Sequence, residues 1–257
     1  MNKKKTALFL TVLTVIFLLQ TYQEGFMCHS GDYVSARREM IEGQIKGRGI
    51  SDPRVLDAMF KVERHKFVSD IIKELSYSDR PLPIGEDQTI SQPYIVALMS
   101  ELIVGENISG ETKLQQSAPR AAEKLKILEI GTGSGYQAAV LAEMSHEVYT
   151  IEIVESLGRR AEELLKTLGY KNVYVKIGDG YKGWPEKAPF DRIIVTCAPD
   201  DAPQALLEQL NPAGGRMIIP VGPAGDTQRL VLIKRQGDKY IRDFITYVMF
   251  VPMVRGK

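Results

Sequence analysis

The chain has 257 residues, enough for one α/β domain with a sizeable core and some tens of residues of additions. Its 33 lysines and arginines nearly balance 32 aspartates and glutamates, and a formal net charge of +1 argues against a dedicated nucleic-acid binder, which shows a basic excess. The two cysteines, Cys28 and Cys197, and the three histidines, His29, His65 and His146, are scattered without ligand spacing, so neither a disulfide framework nor a metal site is expected.

The amino terminus stands apart. Lys3, Lys4 and Lys5 precede an apolar run from Ala7 to Leu19, the charged and hydrophobic regions of a secretory signal. The run is shorter than the roughly 20 apolar residues of a membrane-spanning helix. Gly25-Phe26-Met27-Cys28 is a poor match to a small-residue cleavage site. Three readings stay open: a signal, a brief anchor, and a translation start at Met27. Residues 1–30 are read as an apolar leader and residues 31–257 as the working domain.

Tyr33 to about Val68 reads as helical. Ser51-Asp52-Pro53 starts a helix, with a side-chain cap followed by proline in the first turn. Val55, Leu56, Met59 and Val62 then share one face at helical spacing. Asp79 to Gln92, rich in proline, glycine and polar residues, reads as loop, and Tyr94 to Ile103 as a buried helix. Residues 31–104 thus form a helical cap with a loop, followed by a polar linker over 105–124. Trp184 and Phe190 read as core or lid packing, and Arg37 and Arg38 as solvated helix charges.

From Leu125 the rhythm becomes strand and helix in alternation. Strands are expected at Lys126–Ile130, Glu147–Ile153, Asn172–Ile177 and Arg192–Thr196. One helix is expected at Tyr136–Met144, and a second carries Leu157, Ala161, Leu164, Leu165 and Leu168 before Gly169 stops it. Arg216–Pro220, Arg229–Lys234 and Ile241–Phe250 read as three strands joined by turns. Such alternation implies right-handed crossovers, hence a doubly wound, mostly parallel α/β sheet with a helical amino-terminal cap and an antiparallel carboxyl-terminal edge.

Three features place a cofactor on that sheet. Leu128 to Ala139 reads LEIGTGSGYQAA, a strand running into Gly131-Thr132-Gly133-Ser134-Gly135 and then a helix. Glycines there permit positive φ and close ligand approach, and free N–H groups at a helix start bind anions. Glu152 ends the next strand, where an acid holds two ribose hydroxyls. Gly178-Asp179-Gly180 follows the third, where a carboxylate accepts from an adenine amino group. Each feature has a plainer alternative: packing glycines, a solvated strand-end charge, an Asp-Gly turn. Together, at successive strand ends, they point to S-adenosylmethionine. The spacing is G-x-G-x-G, unlike the G-x-G-x-x-G of nicotinamide dehydrogenases.

From Ala36 to the carboxyl terminus the sequence resembles the protein-L-isoaspartate O-methyltransferases. The segments that carry this are RREMIEGQIKGRGI (Arg37 to Ile50), IGEDQTISQPYIVALM (Ile84 to Met99), the glycine loop, and GDGYKGWPEKAPFDRIIVTCAP (Gly178 to Pro199). The resemblance implies a Rossmann-like adenosylmethionine-dependent fold and a protein-repair methyltransferase acting on damaged proteins and peptides that contain isoaspartate. It implies that Gln88, Thr89, Ile90 and Ser91 close over cofactor and substrate, with Ser91 the active-site serine. It also implies that Val248 to Pro252, in the last strand, pairs with substrate backbone, bringing Val248 and Phe250 to the substrate. Gln88, Thr89, Ile90, Glu129, Gly131, Thr132, Gly133, Ser134, Gly135, Glu152, Asp179 and Gly180 are the expected cofactor residues. The sequence departs from the family at Asp87, where glycine is common, and in a longer polar link at Asn107–Glu123.

The chemistry fits. An isoaspartyl residue has a free α-carboxylate, which with a pKa of about 3.5 is ionised at neutral pH and attacks a sulfonium methyl without a general base. The enzyme's work is then positioning, with Ser91 orienting the carboxylate. An N-methyltransferase is the nearest rival, but Thr196-Cys197-Ala198-Pro199-Asp200 lacks the Asn/Asp-Pro-Pro-Tyr such enzymes often have there; Cys197 reads as a small buried apolar residue. A non-catalytic cofactor-binding protein is the alternative from another class. The chain is expected to act as a cytoplasmic monomer without nucleic acid, with membrane contact or export only through a retained leader.

Overall fold

The computed structural model describes residues 32–105, 124–144 and 146–256. The leader expected at 1–30 and nearly all of the linker expected at 105–124 lie outside these residues. The chain divides into two units, Met1–Ala36 and Arg37–Lys257. In the first, Asp32 Oδ1 accepts from the Ser35 N–H at 3.0 Å and opens a helix.

That helix, α1 (Tyr33–Glu39), continues as a π turn over Met40–Ile45 and a 3-10 turn over Lys46–Arg48. Gly49, at φ +95°, stops the run. Helix α2 (Pro53–Lys61) begins where the sequence places it: the Asp52 carboxylate accepts from Arg54 N at 2.9 Å, with Pro53 at the first position. Val55, Ala58 and Met59 form its buried face, each large side chain contributing about 1.5–3 kcal/mol. Arg37 corrects the expectation of a solvated charge. It is buried, its guanidinium lying 5.3 Å from the Phe60 ring centroid and 3.8 Å from Glu63, whereas Arg38 is exposed.

The segment read as loop contains a hairpin, β1 (Leu82–Gly85) with β2 (Gln88–Ile90). Its two turn residues, Glu86 and Asp87, have φ of +52° and +55°, the sign that two-residue hairpin turns require. The hairpin delivers Ser91 to the start of α3 (Pro93–Val104), an almost wholly apolar helix. Asp79 ties this corner down by accepting from Tyr94 N at 3.1 Å, Gln92 Nε2 at 2.7 Å and Arg48 Nη1 at 2.6 Å.

The remaining elements are β3 (Lys126–Ile130), α4 (Tyr136–Glu143), β4 (Glu147–Glu152), α5 (Glu155–Thr167), β5 (Val173–Ile177), β6 (Arg192–Val195), α6 (Gln204–Glu208), β7 (Ala213–Val221), β8 (Gln228–Gln236) and β9 (Lys239–Val248). They build a seven-stranded sheet in the order β5-β4-β3-β6-β7-β8-β9. Strands β5 to β7 are parallel, and β8 and β9 are antiparallel. β3 and β6 are apolar runs because helices bury both faces of a parallel sheet. Phe190 is fully buried, and Trp184 packs edge-on against Tyr149 at 5.4 Å. The chain leaves β3 towards β4 on one side and returns to β6 on the other. The carboxyl ends of β3 and β6 therefore flank the switch point, where open α/β sheets bind ligands.

Candidate active site

The turn after β3 is shaped by three glycines with positive φ, Gly131 (+97°), Gly133 (+53°) and Gly135 (+87°). At Gly131 the requirement is also steric, since a Cβ would stand 2.5 Å from Thr196 Oγ1. Gly131 N donates to Ile151 O at 2.9 Å, and the hydroxyls of Thr132 and Thr150 pair at 2.7 Å, so the loop is bolted to β4. Glu152, at the end of β4, accepts from Gly133 N at 2.8 Å and from Val154 N at 2.9 Å. Each carboxylate oxygen keeps a further lone pair for a ligand hydroxyl. Gly180 approaches β3 so closely that a Cβ would lie 2.4 Å from Ile130 Cγ2.

These residues wall a cavity together with Gln88, Thr89, Ile90 and Ser91 from the hairpin arm and Glu129 from β3. Glu129 is fully buried, and neither carboxylate oxygen has a hydrogen-bond partner. Loss of solvent, reinforced by the nearby Glu152 charge, pushes its carboxyl up to about 8. The nearby Thr150 hydroxyl, which pairs with Thr132, offsets part of this. The described lining holds two carboxylates and no lysine, arginine or histidine. Asp179 sits differently from the other expected residues. Its carboxylate accepts from Tyr181 N at 2.9 Å beside Gly256, and it does not line the cavity, whereas Gly180 does.

A second groove runs alongside, lined by Ser91, Tyr94, Tyr247, Val248, Met249 and Phe250 among others. Four residues line both spaces: Thr89, Ser91, Thr196 and Val251. Val248 closes β9, while Phe250, expected in the last strand, lies beyond its end, with its N–H donating to Gln228 Oε1 at 2.8 Å. The chain leaves the strand there because Ala198 and Pro252 form a bridge, with Ala198 N donating to Val251 O and Met253 N to Ala198 O, both at 2.8 Å. This bridge brings Val251, Pro252 and Met253 into the cavity wall, where no local sequence signal announced them. Thr196 and Cys197 were also missed as wall residues, although strand-end position alone could have found them. Burial, and then the carboxylates of Glu152 and Glu129, raise the Cys197 thiol to about 12, so it is no nucleophile at neutral pH.

A parallel sheet, a glycine loop at its switch point and acids at successive strand ends define a Rossmann-like adenosylmethionine-dependent methyltransferase. The family model described as Protein-L-isoaspartate(D-aspartate) O-methyltransferase (PCMT) matches residues 35–257. The chain is 47% identical over 246 residues to protein-L-isoaspartate O-methyltransferase 2 of Shewanella sediminis, covering 96% of this chain and 94% of that protein. It is 50% identical over 218 residues to the protein-L-isoaspartate O-methyltransferase of Gloeobacter violaceus, covering 85% and 98%. Among solved structures, a protein-L-isoaspartate O-methyltransferase superposes with a TM-score of 0.71 at 28% identity, over 84% of this chain and 65% of that one. A beta-aspartate methyltransferase from Plasmodium falciparum, in complex with S-adenosyl-L-homocysteine, superposes with a TM-score of 0.66 at 25% identity, over 86% and 99%. This chain belongs to the protein-L-isoaspartate(D-aspartate) O-methyltransferase family. Its cofactor is S-adenosylmethionine, and the cavity fits that group: the orphaned Glu129 carboxylate and the cation-free lining suit a ligand bearing positive charge.

Proposed function

We propose that this enzyme repairs damaged proteins and peptides by methylating the free α-carboxylate of L-isoaspartyl residues at the junction of the two cavities. The observation that carries the reading is the position of Ser91, which lines the cofactor cavity and the neighbouring groove at once. S-adenosylmethionine supplies an electrophilic methyl group on sulfur. Glu152 and the glycine loop hold the ribose and methionine ends, Glu129 receives positive charge, and Gly180, packed against Ile130, lines the purine end. Asp179 keeps Oδ2 as an acceptor for the purine amino group while Oδ1 holds Tyr181 N.

Ser91 donates to the substrate carboxylate and fixes its line of approach. Val248 and Phe250 hold the chain to either side. Among the described residues β9 is the sheet's edge and pairs with β8 alone, so its outer side can take an extended peptide. No group needs to remove a proton, because the nucleophile is already ionised at neutral pH. Residues 31–104 close the site and residues 125–257 hold the cofactor. The enzyme works as a cytoplasmic monomer, and not on nucleic acid. Among the described residues no helix is long and apolar enough to cross a membrane.

The test uses labelled adenosylmethionine and paired peptides that differ only in isoaspartate or normal aspartate at one position. Label confined to the isoaspartyl peptide is expected; equal labelling, or none, sinks the proposal.

A further inference from the structure

Of the four residues at the junction, Thr89 and Ser91 belong to the hairpin arm and Val251 to the carboxyl-terminal tail. Thr196 alone follows a central strand, β6, hydrogen-bonded between β3 and β7. Its hydroxyl points at Gly131 O, at 2.7 Å, and at Ile130 O, at 3.0 Å. A hydroxyl has one proton and two lone pairs. With that proton turned into the glycine turn, the oxygen keeps lone pairs as an acceptor on a residue that lines both spaces. The atom is also lodged against the turn, 2.5 Å from where a Gly131 Cβ would stand, which limits its freedom to swing.

Resting on the reading that methyl transfer occurs at this junction, we propose that Thr196 is a further catalytic residue. Its hydroxyl oxygen accepts from the C–H bonds of the transferring methyl and aims that group at the substrate carboxylate. A methyl carbon on a sulfonium is electron-poor, so its hydrogens donate better than ordinary C–H groups, and C–H···O contacts favour one orientation of the group. The carboxylate oxygen–carbon bond forms as the sulfur–carbon bond breaks, the electron pair of the latter staying on sulfur. Thr196 neither gains nor loses a proton. Cys197, its neighbour in the wall, cannot serve in its place because sulfur is a weak acceptor.

Thr196→Val keeps the shape and removes the oxygen, and Thr196→Ser keeps the oxygen. The readouts are kcat and KM with an isoaspartyl peptide, the affinity for S-adenosylhomocysteine, which has no transferable methyl, and the proton shift of the carbon-13 methyl of bound adenosylmethionine. The valine variant is expected to bind S-adenosylhomocysteine within about twofold of wild type and to lose about tenfold in kcat, equivalent to about 1.4 kcal/mol. Its bound methyl resonance should move upfield, and serine should restore both values. An unchanged methyl shift overturns the proposal. So does a loss of S-adenosylhomocysteine affinity as large as the loss of kcat, which would make the hydroxyl only a brace for Gly131. If the valine variant does not fold, the wild-type complex decides: a methyl resonance at its free position rules the contact out. Failure of the isoaspartyl reading would show separately, as equal labelling of the paired peptides, with the methyl shift unaffected.

Discussion

The cofactor cavity is walled by the buried ends of β3, β4 and β6, and its loop amides and hydroxyls are bonded to one another at 2.7–2.9 Å. The groove beside it is walled by an arm that hangs on a two-residue turn, by an edge strand, and by exposed side chains such as Tyr247 and Met249. One space takes a ligand of constant shape, for which preformed hydrogen bonds reduce the cost of ordering. The other must take many sequences around one chemical lesion, and backbone pairing along a free edge is indifferent to side-chain identity. A steric clash within the first space should therefore weaken binding of a defined molecule, whereas damage to the second should change turnover and leave that binding alone.

The largest expected effect is Gly131→Ala. The new Cβ meets Thr196 Oγ1 at a backbone φ of +97°, which alanine adopts poorly. Calorimetry should show S-adenosylhomocysteine affinity reduced about 100-fold, about 3 kcal/mol. Retained affinity would mean that the loop is softer than its hydrogen bonds suggest.

Ser91→Ala comes next, acting on the other side of the comparison. It should lower kcat/KM for the isoaspartyl peptide about 30-fold, as expected for one lost hydrogen bond to a charged group, about 2 kcal/mol. S-adenosylhomocysteine binding should stay within about twofold. A matching loss of cofactor affinity would place Ser91 in the wrong cavity.

Glu129 connects the cavity to pH. Burial pushes its carboxyl in the folded, ligand-free protein up to about 8, from an ordinary value of about 4.5. Between those values the folded state binds more protons than the unfolded state, so the stability of the ligand-free enzyme falls as pH rises from about 4.5 to about 8. Binding of a ligand ammonium group beside it favours the ionised form. The affinity for S-adenosylhomocysteine, whose amino-acid end carries one, should therefore rise over the upper part of that range, by at most about tenfold per pH unit. In Glu129→Gln the binding profile should flatten, and the ligand-free Tm at pH 8 should rise, not fall. A wild-type binding profile flat from pH 6 to 8 would count against the buried, unpartnered carboxylate.

The smallest effect is expected at the hairpin. Asp87→Gly removes a side chain from a residue at φ +55° and should stabilise the protein by about 0.5–1 kcal/mol in thermal unfolding, with kcat close to wild type. A lower Tm would show that the aspartate makes a compensating contact.

Much of the sheet is legible from local pattern. The strands β3, β4 and β6 were expected within one residue of where they lie, because buried strands read as short runs dominated by apolar and β-branched residues, even where Glu129 and Thr150 interrupt them. Asp52-Pro53 likewise marks the start of α2 through its own side-chain chemistry. The hairpin is a different case. Pro83, Gly85, Glu86 and Asp87 look like loop, and β2 is only three residues long, so no alternation can show. Helix α6, with five residues, is too short for a helical period to appear.

By itself, then, the sequence determined the order of strands and helices, the glycine loop, the acid at the end of β4 and the family, since each depends on neighbours in the chain. Only the tertiary structure decided that Ser91 stands between two cavities, that Thr196 turns its proton towards Gly131, that Arg37 is buried, and that residues 251–253 wall the cofactor site. Those placements rest on contacts between residues far apart along the chain, such as the Ala198–Pro252 bridge, and are specified by the packing of the whole sheet.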